Sequence, residues 1–158
     1  RVTRKWAESL APQDPTHFLT ASVKNPDNVS DPLKWNAKSP SQCKEFISLV
    51  LFCFDKRLYG RSHLNMDSSK KFQFLMVEEN RDKRGQPAFA HIHGVLAFGD
   101  IERRKLVECW SKIEADIIRL GLAEGLNPDV LLLPAWEGAV RYIVKNVENC
   151  VETISIRA

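Results

Sequence analysis

The 158-residue chain has the length of one domain, and its 44% hydrophobic content is enough for a substantial core. A formal net charge of +3 permits an anionic partner but does not require one. The four cysteines lack the paired spacing of a zinc site, and no apolar run is long enough to span a membrane. We therefore expect a single domain, 1–158, that is intracellular (cytoplasmic in a prokaryotic host, nuclear in a eukaryotic one) and has no membrane partner. Its start at Arg1 favours a fragment of a longer protein.

The first elements of the chain follow from the apolar pattern. Alternation predicts a strand from His17 to Val23, after residues 1–16, which show no clear period. A polar loop, 24–40, precedes an amphipathic helix from Ser41 to about Tyr59, for which Gly60 is the predicted stop. The later elements are predicted as strand 72–79, strand 88–98, helix 100–121, strand 130–133, helix 136–149 and strand 151–156.

This order of elements indicates the fold class. A strand, a helix, two strands, a helix and a strand form the split βαβ plan, here followed by an additional helix. The predicted class is therefore α+β, with an antiparallel central sheet and flanking helices in a ferredoxin- or RRM-like arrangement. Within helix 100–121, Asp100 is the expected N-terminal cap and Gly121 the expected end.

Two histidines in one predicted strand indicate a metal site. The two-residue period of a strand places His91 and His93 on the same face and Ile92 on the other. Two imidazoles so placed can bind one metal ion, although a core histidine with chance spacing would give the same pattern. On the neighbouring strand, Glu78 shares the parity of Phe72, Phe74 and Met76, while Glu79 shares that of Leu75 and Val77.

The parity leaves the choice of carboxylate open. Only one of Glu78 and Glu79 is expected to complete the site, and the other is expected to be an exposed turn residue. Two imidazoles and one carboxylate suit Mg²⁺ or Mn²⁺ and would also accept zinc. The sequence therefore predicts a divalent metal centre at this hairpin.

A tyrosine and a lysine share a face of the late helix. Tyr142 and Lys145 are three residues apart, a spacing that is also common in ordinary surface pairs. Three segments in order, Phe18-Leu-Thr-Ala-Ser, His91-Ile-His93-Gly-Val-Leu and Tyr142-x-x-Lys145, resemble the motifs of the HUH endonucleases. The spacing of these segments and the order of the predicted elements resemble the replication-initiator (Rep) branch, and the one helix tyrosine resembles the single-tyrosine class. A related HUH transposase is the alternative within the family.

The resemblance implies a mechanism and partners. Tyr142 would be the catalytic nucleophile on single-stranded DNA, giving a 5′-phosphotyrosine link and a free 3′-hydroxyl, and Lys145 would position the phosphate. The expected role is site-specific nicking and strand transfer at a DNA origin or hairpin in rolling-circle replication. A helicase that often follows in initiators would lie outside this chain, because no phosphate-binding loop motif occurs in it.

Further residues are candidates for DNA contact. Arg141 and Asn146 flank the tyrosine–lysine pair, and both could equally be solvated helix residues. Trp35 and Trp136 could stack bases or belong to the core. The segment after helix 41–59 mixes cations with Tyr59 and is a candidate track for a single strand, or simply a solvated surface. Its charged residues are Lys56, Arg57, Arg61, His63, Lys70 and Lys71.

Two other functions use the same residues differently. A non-catalytic module of this topology would bind RNA or DNA through its sheet, although the aromatic signature of RRM domains is missing. A zinc hydrolase would use His91 and His93 to activate water and would leave Tyr142 without a chemical role. Tyr142→Phe separates the nuclease from the binding module, and a covalent protein–DNA product separates it from the hydrolase.

Overall fold

The computed structural model describes residues 4–24, 40–81, 84, 86–145 and 151–157. Helices and strands alternate along the chain except at the hairpin of the second and third strands, and two short 3₁₀ helices, Gly60–Asn65 and Ser68–Lys70, lie between the second helix and the second strand. The elements are α1 (Arg4–Leu10), β1 (His17–Lys24), α2 (Pro40–Tyr59), β2 (Gln73–Arg81), β3 (Pro87–Ala97), α3 (Asp100–Ala123), β4 (Asn127–Pro134), α4 (Ala139–Val144) and β5 (Val151–Arg157).

The five strands form one antiparallel sheet in the order β4-β1-β3-β2-β5. The first four strands therefore stand in the order 4-1-3-2 that the split βαβ connection produces, and β5 extends the sheet beside β2. The predicted α+β class, with an antiparallel central sheet and flanking helices, is confirmed. The strand that carries both histidines, β3, lies at the centre of the sheet.

Each face of the sheet has its own apolar core. On one face, residues such as Met76, Ile92 and Leu96 pack with Phe46 and Phe54 of α2 and with apolar residues of α3. The alternate residues of the same strands face the other way, as the two-residue period requires. There they pack with α1 and α4 in a second core made of Ala7, Phe18, Leu75, Val77, Val95, Ala139, Ile143 and Val144.

The ends of α3 differ from the prediction. Gly99, not Asp100, precedes the helix, and its backbone N–H donates to the Glu102 carboxylate at 2.7 Å. The helix passes Gly121, where a Cβ would lie 2.3 Å from Pro128 Cγ, and ends before Gly125, whose φ is 77°. Gly121 therefore serves close packing against β4, while Gly125 supplies the left-handed residue that closes the helix.

The two short helices also differ from the prediction. Helix α1 was not predicted, because Ala7 is its one buried residue and a single buried position gives no helical period. Helix α4 begins at Ala139, three residues later than expected, and its expected continuation, 146–149, lies outside the described residues. The loop 25–39 also lies outside them.

A partly buried ion pair fixes the edge strand β5 to α2. The Arg157 guanidinium donates to both carboxylate oxygens of Asp55 at 2.9 Å and lies 4.4 Å from the centre of the Phe72 ring. Two parallel hydrogen bonds make this a strong, directional contact.

Among the described residues, no helix is both long and apolar enough to cross a membrane.

Candidate metal centre and tyrosine

The two histidines lie on the same face of β3, as predicted. Cross-strand pairing places His91 opposite Glu79 on β2 and opposite Ser22 on β1. His93 follows two residues later, beside the second core, while the Ile92 side chain belongs to the first core. The pleat of β3 therefore places the two imidazoles on one face of the sheet and the Ile92 side chain on the other.

Glu79 completes a compact group of ligand atoms with the histidines. Its Oε2 lies 3.1 Å from His91 Nε2 and 3.8 Å from His93 Nδ1. One ligand atom from each of the three residues lies within 4.8 Å of the other two. The Glu79 side chain is 9% exposed and that of His91 is 27% exposed, so the group opens to solvent on the His91 side.

The structure places only one of the two candidate glutamates beside the histidines. Glu78 is paired with Ile92, is buried, and lies on the face of the first core, away from the histidines. It is therefore neither a ligand nor the exposed turn residue expected of the second glutamate. The pairing of β2 is irregular around Glu79, with register shifts against both β3 and β5. Such bulges redirect side chains and are common beside functional sites.

The electrostatics of the group suit a cation. Burial acts to raise the pKa of the Glu79 carboxyl, but the imidazoles of His91 and His93 outweigh it and lower that pKa to about 2. His93 Nδ1 is buried and makes no hydrogen bond within the part of the chain that the structure describes. A buried nitrogen acceptor without a partner is costly, and a metal ion at this point would remove that cost. The residues present therefore fit a divalent metal ion.

An acid-stability measurement tests the Glu79 electrostatics in the metal-free protein. Because the folded-state pKa of about 2 lies below the ordinary 4.5, the carboxylate stabilises the fold above pH 4.5 and loses this effect as the pH falls toward 2. We expect Glu79→Gln to flatten the decline of the urea midpoint between these pH values, measured with a chelator present. An equally steep decline in Glu79→Gln and in the wild type would contradict the predicted contribution.

Tyr142 and Lys145 lie beside the same group. Burial of Ala139, Ile143 and Val144 against the second core fixes α4 on the sheet and leaves Tyr142 41% exposed. The Tyr142 ring centre lies 5.6 Å from that of His93, and Lys145 Nζ lies 4.0 Å from the tyrosine ring centre. The structure thus brings the predicted nucleophile, the predicted phosphate-positioning lysine and the predicted ligands together.

The predicted DNA contacts are distributed differently. Arg141 is exposed on α4, next to Tyr142 in the sequence, whereas Asn146 and Trp35 lie outside the described residues. Lys56 and Arg57 lie on α2, behind the opposite face of the sheet, and Arg57 forms a 2.9 Å ion pair with Asp116 of α3. This layer separates the two cations from the metal centre.

The rest of the basic segment lies at the far end of the sheet. Lys70 and Lys71 precede Gln73 of β2, six residues or about 20 Å along the strand from Glu79. Lys71 lies 3.6 Å from Asp55, Arg61 is exposed in the first 3₁₀ helix, and His63 is buried against Phe52. The structure therefore does not bring these side chains to the candidate centre. Contact between the exposed lysines and arginine of this segment and an extended DNA strand stays a prediction.

Two aromatic residues adjoin the tyrosine: Phe18, to which the sequence assigned no role of its own, and Trp136, a candidate for stacking bases that is 45% exposed. The Phe18 ring centre lies 5.8 Å from that of Tyr142 and 5.6 Å from that of His93. Trp136 lies 4.6 Å from Phe18 and 5.8 Å from Tyr142. Phe18 is part of the first motif, and the alternation of β1 indicates which face of the sheet its side chain occupies.

Comparison with protein-family models, curated proteins and solved structures finds no match to this chain.

Proposed function

We propose that this chain is a metal-dependent endonuclease domain of the HUH type that nicks single-stranded DNA through Tyr142. The observation that carries the proposal is the convergence of Tyr142 and Lys145 on the group formed by Glu79, His91 and His93. A mixed set of two imidazoles and a carboxylate, with an exposed tyrosine and an ammonium beside it, suits phosphodiester transesterification. The antiparallel α+β architecture supports the same family.

The ligand group would hold Mg²⁺ or Mn²⁺, which when bound withdraws charge from a phosphate oxygen and makes the phosphorus easier to attack. The Glu79 carboxyl group is ionised at neutral pH and contributes a negative charge. The partly exposed His91 marks the side from which a phosphate enters. Lys145 supplies a positive charge next to the tyrosine, where it can bind a second phosphate oxygen.

The Tyr142 phenolate is the proposed nucleophile. Its oxygen attacks the phosphorus, a new P–O bond forms, and the bond from phosphorus to the 3′-oxygen breaks. The products are a 5′-phosphotyrosine ester and a strand that ends in a 3′-hydroxyl, which takes up a proton. Because the ester retains the phosphodiester bond energy, another 3′-hydroxyl can reverse the reaction and join strands without ATP. This transfer chemistry suits rolling-circle replication initiated at a specific origin or hairpin.

An adduct assay tests the proposal. The domain is incubated with Mn²⁺ and a diverse pool of labelled single-stranded oligonucleotides, and a denaturing protein gel is examined for label that migrates with the protein. Label that depends on Mn²⁺ and disappears with a chelator is the expected result. Cleavage to free 5′-phosphate without labelled protein would favour the zinc hydrolase, and binding without cleavage would favour the nucleic-acid-binding module.

Lys145 should affect the rate of adduct formation without affecting the fold. We expect Lys145→Met to slow single-turnover adduct formation by about 10- to 100-fold, because the phosphate loses a charged hydrogen-bond partner in the transition state. Lys145→Arg should retain most of the rate because it keeps the charge. The matched control is Lys112→Met on α3, an exposed lysine on the opposite layer. A rate in Lys145→Met equal to that of the control would contradict the assigned role.

The transposase alternative uses the same site. An HUH transposase or recombinase would form the same Tyr142 adduct, and would differ in the DNA sequence that it retains and in its neighbouring domains. The oligonucleotides recovered from the adduct distinguish the two, since an initiator selects an origin and a transposase selects the ends of its own element.

A further inference from the structure

Three exposed apolar side chains lie on the tyrosine side of the sheet and take no part in the proposed chemistry. Leu131 and Leu133 of β4 are 53% and 42% exposed, and Trp136, just after the strand, is 45% exposed. The neighbouring Leu132 and Val130 point the other way, into the first core. We call the surface of Leu131, Leu133 and Trp136 the β4 platform.

The register places the β4 platform on the same face as the metal centre. Leu133 is paired with Phe18 and Leu131 with Thr20 on β1, and directly paired residues share a face of the sheet. Thr20 is in turn paired with His93 on β3. Leu131 is thus two strands, or about 10 Å, from His93 along one row of the sheet.

The aromatic residues make the platform continuous with the tyrosine. Trp136 packs on Phe18 and lies 5.8 Å from the Tyr142 ring. An apolar surface thus runs from Tyr142 across Trp136 to the leucines of the edge strand. Helices α1 and α4 cover the other part of this face, through the second core.

The charges divide the face into two parts. Lys145 lies beside Tyr142, where a phosphate would be held, and Arg141 is exposed on the same helix. Strand β4 contains no lysine or arginine, and its exposed Asp129 would repel a phosphate. An apolar surface with an indole and without a cation suits the planar faces of nucleobases and not their charged backbone.

We propose that the β4 platform binds unpaired nucleobases adjacent to the scissile phosphate, with one base stacked on Trp136 and its neighbour over Leu131 and Leu133. The assignment of the scissile phosphate to Tyr142 rests on the proposed function, whereas the binding of bases to the platform is a separate property. The platform directs the strand from the metal centre across β1 toward β4.

Fluorescence anisotropy with the whole domain tests the platform. The probe is a labelled oligothymidylate of about 20 nucleotides, compared with an abasic strand of equal length and charge. We expect the wild type to bind oligothymidylate more tightly than the abasic strand. Trp136→Ala should weaken oligothymidylate binding between about fivefold and a hundredfold, while Trp136→Phe retains most of the affinity.

Matched variants separate base contact from general surface effects. Leu131→Ser should also weaken oligothymidylate binding, whereas Leu122→Ser on α3, an exposed leucine of nearly equal exposure at 54%, should leave it unchanged. Neither platform variant should change binding of the abasic strand. Equal wild-type affinities for the two strands, or wild-type affinity for oligothymidylate in Trp136→Ala, would overturn the proposal.

The adduct assay keeps the two proposals distinct. Base-dependent binding that is lost in Trp136→Ala, together with no adduct from any oligonucleotide, would support the platform and refute the nuclease. An adduct that requires Tyr142, together with unchanged oligothymidylate binding in Trp136→Ala and Leu131→Ser, would support the nuclease and refute the platform.

Discussion

Tyr142→Phe is expected to abolish the covalent protein–DNA adduct and to reduce Mn²⁺-dependent nicking at least about a thousandfold. The substitution removes only the attacking oxygen, and Tyr142 is 41% exposed, so the fold and the metal site should be unaffected. Single-turnover assays with an oligonucleotide selected by the wild type provide the measurement. Adduct formed by Tyr142→Phe at the wild-type rate would refute tyrosine catalysis.

The chain provides a matched control, because it contains only one other tyrosine. The Tyr59 hydroxyl accepts a hydrogen bond from the Phe72 backbone N–H at 2.6 Å and donates one to Glu102. Burial raises the pKa of the Tyr59 phenol above its ordinary value, which makes it a poor nucleophile. Tyr59→Phe should lower the unfolding midpoint, since these hydrogen bonds are lost, but should still form the adduct.

Loss of a metal ligand should have the second large effect. We expect Glu79→Gln and His93→Ala to weaken Mn²⁺ binding at least about a hundredfold, because the first removes the only carboxylate charge of the group and the second removes one of its three ligand atoms. Isothermal titration calorimetry without DNA measures this affinity independently of activity. Adduct formation by both variants should fall in parallel.

The neighbouring glutamate makes the test specific. Glu78→Gln alters a buried carboxylate of the same strand that faces the opposite core, so it should leave Mn²⁺ affinity unchanged even if it alters stability. The assignment fails if Glu78→Gln loses Mn²⁺ binding while Glu79→Gln keeps it. Failure of all variants to change Mn²⁺ affinity would place the metal elsewhere.

The sequence predicted much of the fold because its strands and long helices have clear apolar periods. His17–Lys24 alternates, and α3 repeats its apolar residues at helical spacing, so these elements were found almost at their true bounds. Helix α1 escaped prediction because its contact with the core is nearly limited to Ala7. The predicted start of α4, Trp136, lies three residues before the observed start at Ala139. The pattern before Ala139 does not distinguish a turn from the first turn of a helix.

The sequence identified the candidate site residues that lie on one strand, but it did not identify the glutamate whose position depends on the pairing of β2 with β3. The spacing of His91 and His93 fixed their common face, but the choice of Glu79 required the register of β2 against β3 and the irregular pairing around it. The basic segment shows a related limit. Charges near Arg57 and Lys71 are visible in the sequence, but their layer and their ion pairs are properties of the tertiary structure.

The central position of β3 has a consequence for the dynamics of the site. His91 and His93 lie on a strand that is hydrogen-bonded to β1 and β2 on both sides, so their amide hydrogens should exchange with solvent only through large-scale unfolding. Tyr142 lies on a six-residue helix, whose amides open in smaller fluctuations. The histidine side of the candidate site should therefore be its most exchange-protected part, and local opening on the Tyr142 side would accommodate the proposed change from a free phenol to a DNA-linked one.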